Sequence, residues 1–161
     1  MAEQPGVQPS KPLNFPIELS IPPDFRELEV HLEHLRSALT SARIAEDLGN
    51  QAVFVAEELL TNALKYGGVT NESLPMRVIV SADDKSLLLN FSTRGDAFDP
   101  RCDVDHDREE SLADRPIGGL GLLLVNRLAS QIDYRFENGW NHVTVALSQA
   151  GPTDPEPHTQ K

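Results

Sequence analysis

The spacing of apolar residues switches between two periods along the chain, and this switch constrains the fold more than any other feature. Leucines recur at three- and four-residue steps over residues 28–39, which predicts an amphipathic helix with Asp24 as its N-cap. A second helical pattern covers about residues 44–66; Gly67-Gly68 predicts its end, and Gly49-Asn50 is a candidate early break. Two helices of this kind need an apolar surface to cover.

Other segments alternate apolar and polar residues, which predicts strands. The apolar face of their sheet is the surface that the helices cover. The turn signals Asp83-Asp84-Lys85 and Asn138-Gly139 predict hairpins. Trp140, after the second turn, is expected to pack in the core or on the sheet. A third helix is expected over about residues 118–130. We therefore expect an α/β protein of the α+β two-layer sandwich type, with about three helices on one face of a mixed, mostly antiparallel sheet of about five strands. The predicted strands cover residues 17–21, 76–82, 87–92, 132–136 and 143–147.

The length of 161 residues suits one hydrophobic core but not two. Both ends of the chain are rich in Pro, Gln, Ser and Thr and lack apolar periodicity, so they gain too little burial to offset the entropy of ordering. We expect one domain over residues 15–149, between a flexible N-terminal tail, 1–14, and a flexible C-terminal tail, 150–161.

The formal net charge of -11 argues against direct nucleic-acid binding, because an acidic surface repels phosphates, and favours a basic partner. Cys102 is the one cysteine, which excludes an internal disulfide and suits a reducing compartment. No run of about 20 apolar residues predicts a membrane span, and no secretory signal is visible. We expect a cytoplasmic protein.

Two groups of residues are candidates for chemistry. Glu58, Asn62 and Tyr66 follow one another at four-residue steps, so they share one stripe of the second helix. Alone, such a stripe is more often a surface hydrogen bond than a site. The glycines at 118, 119 and 121 stand between a long acidic loop, residues 99–117, and a helix start, where backbone N–H groups and the helix dipole favour an anion.

Taken in order, these segments resemble the sequence boxes of the Bergerat-fold ATPases, the GHKL or histidine kinase-like family. Residues 58–66, Glu-Leu-Leu-Thr-Asn-Ala-Leu-Lys-Tyr, are similar to the family's E-x-x-x-N-A box, and residues 118–125, Gly-Gly-Leu-Gly-Leu-Leu-Leu-Val, are similar to its glycine-rich box. Phe98-Asp99-Pro100 and the phrase at 139–145 resemble, more narrowly, bacterial anti-sigma factor serine/threonine kinases of the RsbW and SpoIIAB type. The resemblance spans residues 17–147.

The resemblance implies ATP and Mg²⁺ as cofactors. It makes Asn62 the Mg²⁺ ligand and Glu58 the general base that accepts a proton from the attacking hydroxyl. It also implies that residues 99–117 form a lid and that Thr144 contacts the adenine. The remaining positions that it assigns to nucleotide binding are Thr93, Gly95, Gly118, Gly119, Leu120 and Gly121.

The implied function is that of an anti-sigma factor. Such a protein holds a sigma factor and phosphorylates a STAS-type anti-sigma factor antagonist on serine or threonine, and family members commonly form homodimers. The sequence departs from the family at one position, because Thr93-Arg94-Gly95 stands where the family has D-x-G. A hydroxyl is a weaker acceptor than a carboxylate, so adenine selectivity should fall by about 1 to 3 kcal/mol. The alternative is a partner-binding module of the same fold without catalysis; a third reading is a subunit that uses ATP only as a conformational ligand.

Two other groups resemble metal sites. Asp103, Asp105 and Asp107 imitate the start of a calcium loop, but the residues that should follow for the turn and the bidentate ligand are missing, which favours a solvated acidic loop. His31 and His34 share a helix face and are interpreted as a solvated pair. No metal is assigned to either group.

Overall fold

The computed structural model describes residues 15–69, 73–101 and 119–149, so both predicted tails lie outside the described residues. The described elements confirm three helices and five strands and a two-layer α+β arrangement. In chain order they are β1 (Ile17–Ile21), α1 (Phe25–Ser41), α2 (Glu46–Tyr66), β2 (Met76–Ala82), β3 (Ser86–Arg94), α3 (Gly119–Leu128), β4 (Gln131–Glu137) and β5 (Trp140–Ser148).

The strands form one sheet in the order β1-β2-β3-β5-β4, and every pairing between the described strands is antiparallel. The expectation of a mixed sheet is therefore corrected. The two predicted hairpins are present: β2 and β3 are joined by residues 83–85, and β4 and β5 by Asn138-Gly139, whose positive φ angles of 52° and 78° suit a two-residue turn. The difference lies in the other two pairings, β1 with β2 and β3 with β5, which are antiparallel as well.

The two long helices begin and end largely where the sequence predicts. Asp24 caps α1, since its Oδ1 atom accepts a hydrogen bond of 2.8 Å from the backbone N–H of Arg26. The candidate break in α2 does not occur, because the helix runs through Gly49-Asn50 without interruption. Burial of Leu48 and Ala52 on either side outweighs the low helix propensity of the glycine. Gly67 ends α2.

The core lies between the helices and one face of the sheet. Alternate residues of β2, β3 and β5 are buried there against the leucines and valines of α1 and α2. The opposite face of the sheet is not covered by a described element, and its Ile79 and Leu88 side chains are 38% and 41% exposed. Within the described part of the chain, no helix is both long and apolar enough to cross a membrane.

Candidate functional site

The polar stripe of α2 carries a buried amide at its centre. Asn62 is only 6% exposed, Glu58 one turn earlier is half-buried, and Tyr66 one turn later is exposed. Among the described residues, the Asn62 Nδ2 atom is the one buried side-chain polar atom that has no hydrogen-bond partner. Buried amides are nearly always hydrogen bonded, and the oxygen and nitrogen can exchange places by rotation about the last bond. The Asn62 amide is therefore free to bind a ligand such as a hydrated cation.

The start of α3 lies directly against Glu58. A β-carbon built at Gly121 would overlap the Glu58 carboxylate, whereas a β-carbon at Gly119 would meet no atom within 4 Å. Leu120 between them is 57% exposed, and Gly118 lies outside the described residues. This contact sets the Glu58 carboxylate beside the first described turn of α3.

A small cavity of about 20 Å³ opens between α2 and the inner face of the sheet. Thr93, which is 8% exposed, contributes to the lining. The other lining residues are Leu59, Leu60, Ala63, Gly67, Phe91, Phe98, Pro100, Asn141 and Val143.

Asn141 is a central residue of the site to which the sequence assigned no function. It lies opposite Thr93 in the β3–β5 pairing and is 5% exposed. Its Oδ1 atom accepts hydrogen bonds from the Phe98 backbone N–H (2.9 Å) and the Tyr134 hydroxyl (2.8 Å), and its Nδ2 donates to the Asp96 carbonyl (2.8 Å). Val143, Val145 and Leu147 alternate along the last strand, and the same two-residue period extended to position 141 predicts that Asn141 lies on the buried face.

Thr144 does not line the cavity, so the prediction that it contacts adenine is wrong. Side chains alternate between the two faces of a strand, and Thr144 is three residues from Asn141, which places the two on opposite faces. Its Oγ1 atom donates a 2.8 Å hydrogen bond to Asn90 Oδ1 on the face away from the helices.

The loop after β3 is anchored to α2 and α3. Gly95 packs on the carbonyl of Gly67 so closely that a β-carbon would overlap it, and the Asp96 N–H donates to the same oxygen at 2.7 Å. At the other end, Asn126 Nδ2 of α3 donates to the Pro100 carbonyl at 2.9 Å. Gly95 is thus required by a close backbone approach, and the loop is held along the rim of the cavity.

Asp99 and Arg101 form an ion pair at the end of this loop, with 2.7 Å between Asp99 Oδ2 and Arg101 Nη2. The hydrogen bond from Arg101 holds the pKa of the Asp99 carboxyl below its usual value. The Arg101 guanidinium also lies 5.8 Å from the centre of the Tyr134 ring. Only residues 99–101 of the predicted lid are described; the rest, with Cys102 and the acidic trio that follows it, lies outside the described residues.

The histidine pair of α1 is only partly solvated. His31 is half-buried and donates from Nδ1 to the Glu27 carbonyl oxygen at 2.7 Å, and its ring lies edge-on to that of exposed His34, 5.9 Å away. Within residues 15–69, 73–101 and 119–149, no group of three His, Cys, Asp or Glu side chains is arranged to hold a metal ion.

Three comparisons with known proteins bear on this site. Residues 21–147 match the family described as "Histidine kinase-like ATPase domain". A serine/threonine-protein kinase of Bordetella bronchiseptica, BtrW, is 25% identical over 95 residues, which cover 59% of this chain and 67% of BtrW.

Two solved structures share the fold. The RsbU and RsbW domains of Rv1364c from Mycobacterium tuberculosis superpose with a TM-score of 0.58 at 16% identity, over 88% of this chain and 35% of that one. A structure of the SiaB–SiaC complex from Pseudomonas aeruginosa gives a TM-score of 0.57 at 14% identity, over 81% of this chain and 88% of that one.

Proposed function

Because the chain belongs to the histidine kinase-like ATPase domain family, we propose that it is an anti-sigma factor that binds Mg-ATP and transfers a phosphoryl group to a serine or threonine hydroxyl of a STAS-type anti-sigma factor antagonist. The match covers most of the chain and includes every described candidate residue. The kinase relative and the fold of the RsbW and SiaB structures support a kinase-type protein.

The contact between Gly121 and Glu58 is the observation that carries the proposal. It sets a carboxylate next to the first described turn of α3, and in this proposal the backbone N–H groups of that turn stabilise negative charge. In that position Glu58 accepts the proton of the attacking hydroxyl, while the N–H groups of Gly119, Leu120 and Gly121 orient and neutralise the phosphates. Bound Mg-ATP supplies the transferable phosphoryl group.

Asn62 completes this arrangement as the residue that holds the metal ion. It lies one helical turn beyond Glu58, and the nitrogen of its buried amide lacks a hydrogen-bond partner among the described residues. Mg²⁺ takes oxygen ligands and commonly only one or two of them from protein, so a single asparagine oxygen suits it. Thr93 lines the cavity and would contact the nucleobase of a bound nucleotide, and Gly95 keeps the following loop close to α2.

The protein partners belong to the same proposal. The structure of SiaB with SiaC and the pairing of RsbW with RsbU in one chain concern those proteins, and they support a protein partner here. We propose that this chain binds a sigma factor and a STAS-type antagonist, acts in the cytoplasm and forms a homodimer.

A second candidate is a partner-binding module of the same fold without catalysis. One observation favours it: Thr93-Arg94-Gly95 stands where the family has D-x-G, so Thr93 replaces the family's aspartate. A buried hydroxyl holds an adenine amino group less tightly than a carboxylate does.

Calorimetry with Mg-ATP, followed by a phosphoryl-transfer assay with a STAS-domain protein, tests the proposal. We expect saturable binding and phosphorylation of the STAS domain, both lost in the Asn62→Ala variant. Absence of heat at millimolar Mg-ATP would replace the kinase with the binding module. Binding without transfer would favour ATP as a conformational ligand.

A further inference from the structure

The sheet face opposite the helices carries a straight row of polar side chains across all five strands. The register pairs Ser20 with Arg77, Arg77 with Ser92, Ser92 with His142, and His142 with Arg135. Paired residues point to the same face of a sheet, so these five side chains stand side by side. At the centre of the row, Ser92 Oγ and His142 Nδ1 share a hydrogen bond of 3.1 Å.

The next row adds an aromatic side chain and another arginine. Arg94 pairs with Trp140 in the β3–β5 ladder, and its guanidinium lies 6.0 Å from the centre of the indole ring. Leu74, which is 52% exposed, and Pro75 border this row. Parts of the two rows line a groove of about 270 Å³, and Arg94 stands beside it as the partner of Trp140. The lining residues are Leu74, Pro75, Arg77, Ser92, Trp140 and His142.

The charge of this groove is opposite to that of the protein. The chain has 25 acidic and 14 basic residues, yet Arg77 lines the groove. Arg94 and Arg135 are paired with lining residues, and Glu137, beside Trp140, is the acidic residue paired with one. Arg77 and Arg94 are exposed and form no salt bridge with a described residue, and Arg135 contacts only Glu137, at 3.7 Å. Unpaired arginines beside exposed apolar side chains are typical of a binding surface, since arginine and tryptophan are enriched in interface hot spots.

We propose that this groove binds an acidic segment of a partner protein. Carboxylates of the segment bind Arg77 and Arg94, and an apolar side chain packs on Trp140. The guanidinium groups match carboxylates in shape as well as charge. Because Thr93 and Asn141 lie on the inner face, this surface is separate from the nucleotide cavity, and the inference goes beyond the proposed phosphoryl transfer.

A second copy of the chain fits the groove less well. Two identical sheet faces stacked on each other would bring the cluster of arginines into one interface, where like charges repel. An acidic segment instead neutralises them.

Trp140 is the only tryptophan in the chain, so its fluorescence reports on this groove directly. The probe is a short synthetic peptide of alternating glutamate and leucine, and the matched control peptide has lysine in place of glutamate. We expect the acidic peptide to change Trp140 emission saturably, more weakly as salt rises, and equally with and without Mg-ATP. The lysine peptide should have no effect. Equal binding of both peptides, or no binding of either, would overturn the proposal.

Matched arginine variants separate this site from general charge attraction. Arg77→Ala and Arg94→Ala should each weaken peptide binding about threefold, as for exposed ion pairs, and the double change to glutamate should abolish it. Arg26→Ala, which removes an exposed arginine on α1, should leave binding unchanged. The same loss in Arg26→Ala would contradict the site. A dimer in sedimentation that covers Trp140 and disappears in the double glutamate variant would assign the face to a second copy instead.

Discussion

Gly121 of α3 lies so close to Glu58 of α2 that a β-carbon at position 121 would overlap the Glu58 carboxylate. The contact joins the two sequence segments that resemble the family most strongly, although 62 other residues separate them in the chain. The absence of a side chain at position 121 therefore has a physical reason, which is to let the helix start approach the proposed general base.

Replacing this glycine should impair phosphoryl transfer without unfolding the protein. Gly121→Ala is expected to displace the Glu58 carboxylate and to lower the rate of transfer by about tenfold or more, since a small misplacement of a catalytic group is costly. Gly119→Ala is the control, because a β-carbon there meets nothing within 4 Å. Both changes gain about 0.5 to 1 kcal/mol of helix propensity. Equal activity of the two variants would contradict the placement of Glu58.

Asn62 and Glu58 on α2 should have separate functions, nucleotide binding for Asn62 and proton transfer for Glu58. We expect Asn62→Ala to abolish Mg-ATP binding in calorimetry, because it removes the metal ligand, and Glu58→Ala to keep binding but to lose transfer. Glu57→Ala, an exposed neighbour, is the control and should change neither. If Glu58→Ala loses binding as completely as Asn62→Ala, the two residues do not have separate functions.

The lining of the cavity should accept a carboxylate at position 93 when nucleotide is bound. Thr93→Asp is expected to tighten ATP binding by about 1 to 2 kcal/mol, roughly five- to thirtyfold, because a carboxylate is the stronger acceptor for the adenine amino group. The nucleotide-free protein should lose stability, since the position is 8% exposed and burial of an unpaired charge is costly. Thr93→Ser keeps the hydroxyl and serves as the control. Unchanged or weaker ATP affinity in Thr93→Asp would favour the binding module.

The position of the loop along the cavity should depend on the hydrogen bonds of Asn141. Asn141→Ala removes three hydrogen bonds and leaves their partners unpaired, so the free energy of unfolding should fall by about 2 to 3 kcal/mol. Thr144→Ala, on the same strand but the other face, removes one partly exposed hydrogen bond and should cost about 1 kcal/mol or less without affecting ATP binding. Denaturant unfolding and calorimetry compare the two. A larger loss of ATP affinity in Thr144→Ala would reverse our correction.

The sequence by itself determined the elements and their order. Local signals have local physical causes: Asp24 caps α1, Gly67 ends α2, and Asn138-Gly139 adopts the positive φ angles that a two-residue hairpin needs. Apolar periodicity assigned residues to helix or strand because burial of one face is what stabilises each element. The four-residue spacing of Glu58 and Asn62 places them on one stripe of α2, whereas their roles as base and metal ligand are implied by the resemblance to the family.

Only the tertiary structure decided which of these residues meet. The strand order, with β5 between β3 and β4, pairs Asn141 with Thr93, and no local pattern specifies a pairing between residues that lie 48 positions apart. The same pairing places Thr144 on the outer face and lines up Arg77, Ser92 and His142 there. Packing of α3 on α2 sets Gly121 against Glu58. These contacts depend on the register of strands and the approach of helices, which follow from the burial of the whole core rather than from any one segment.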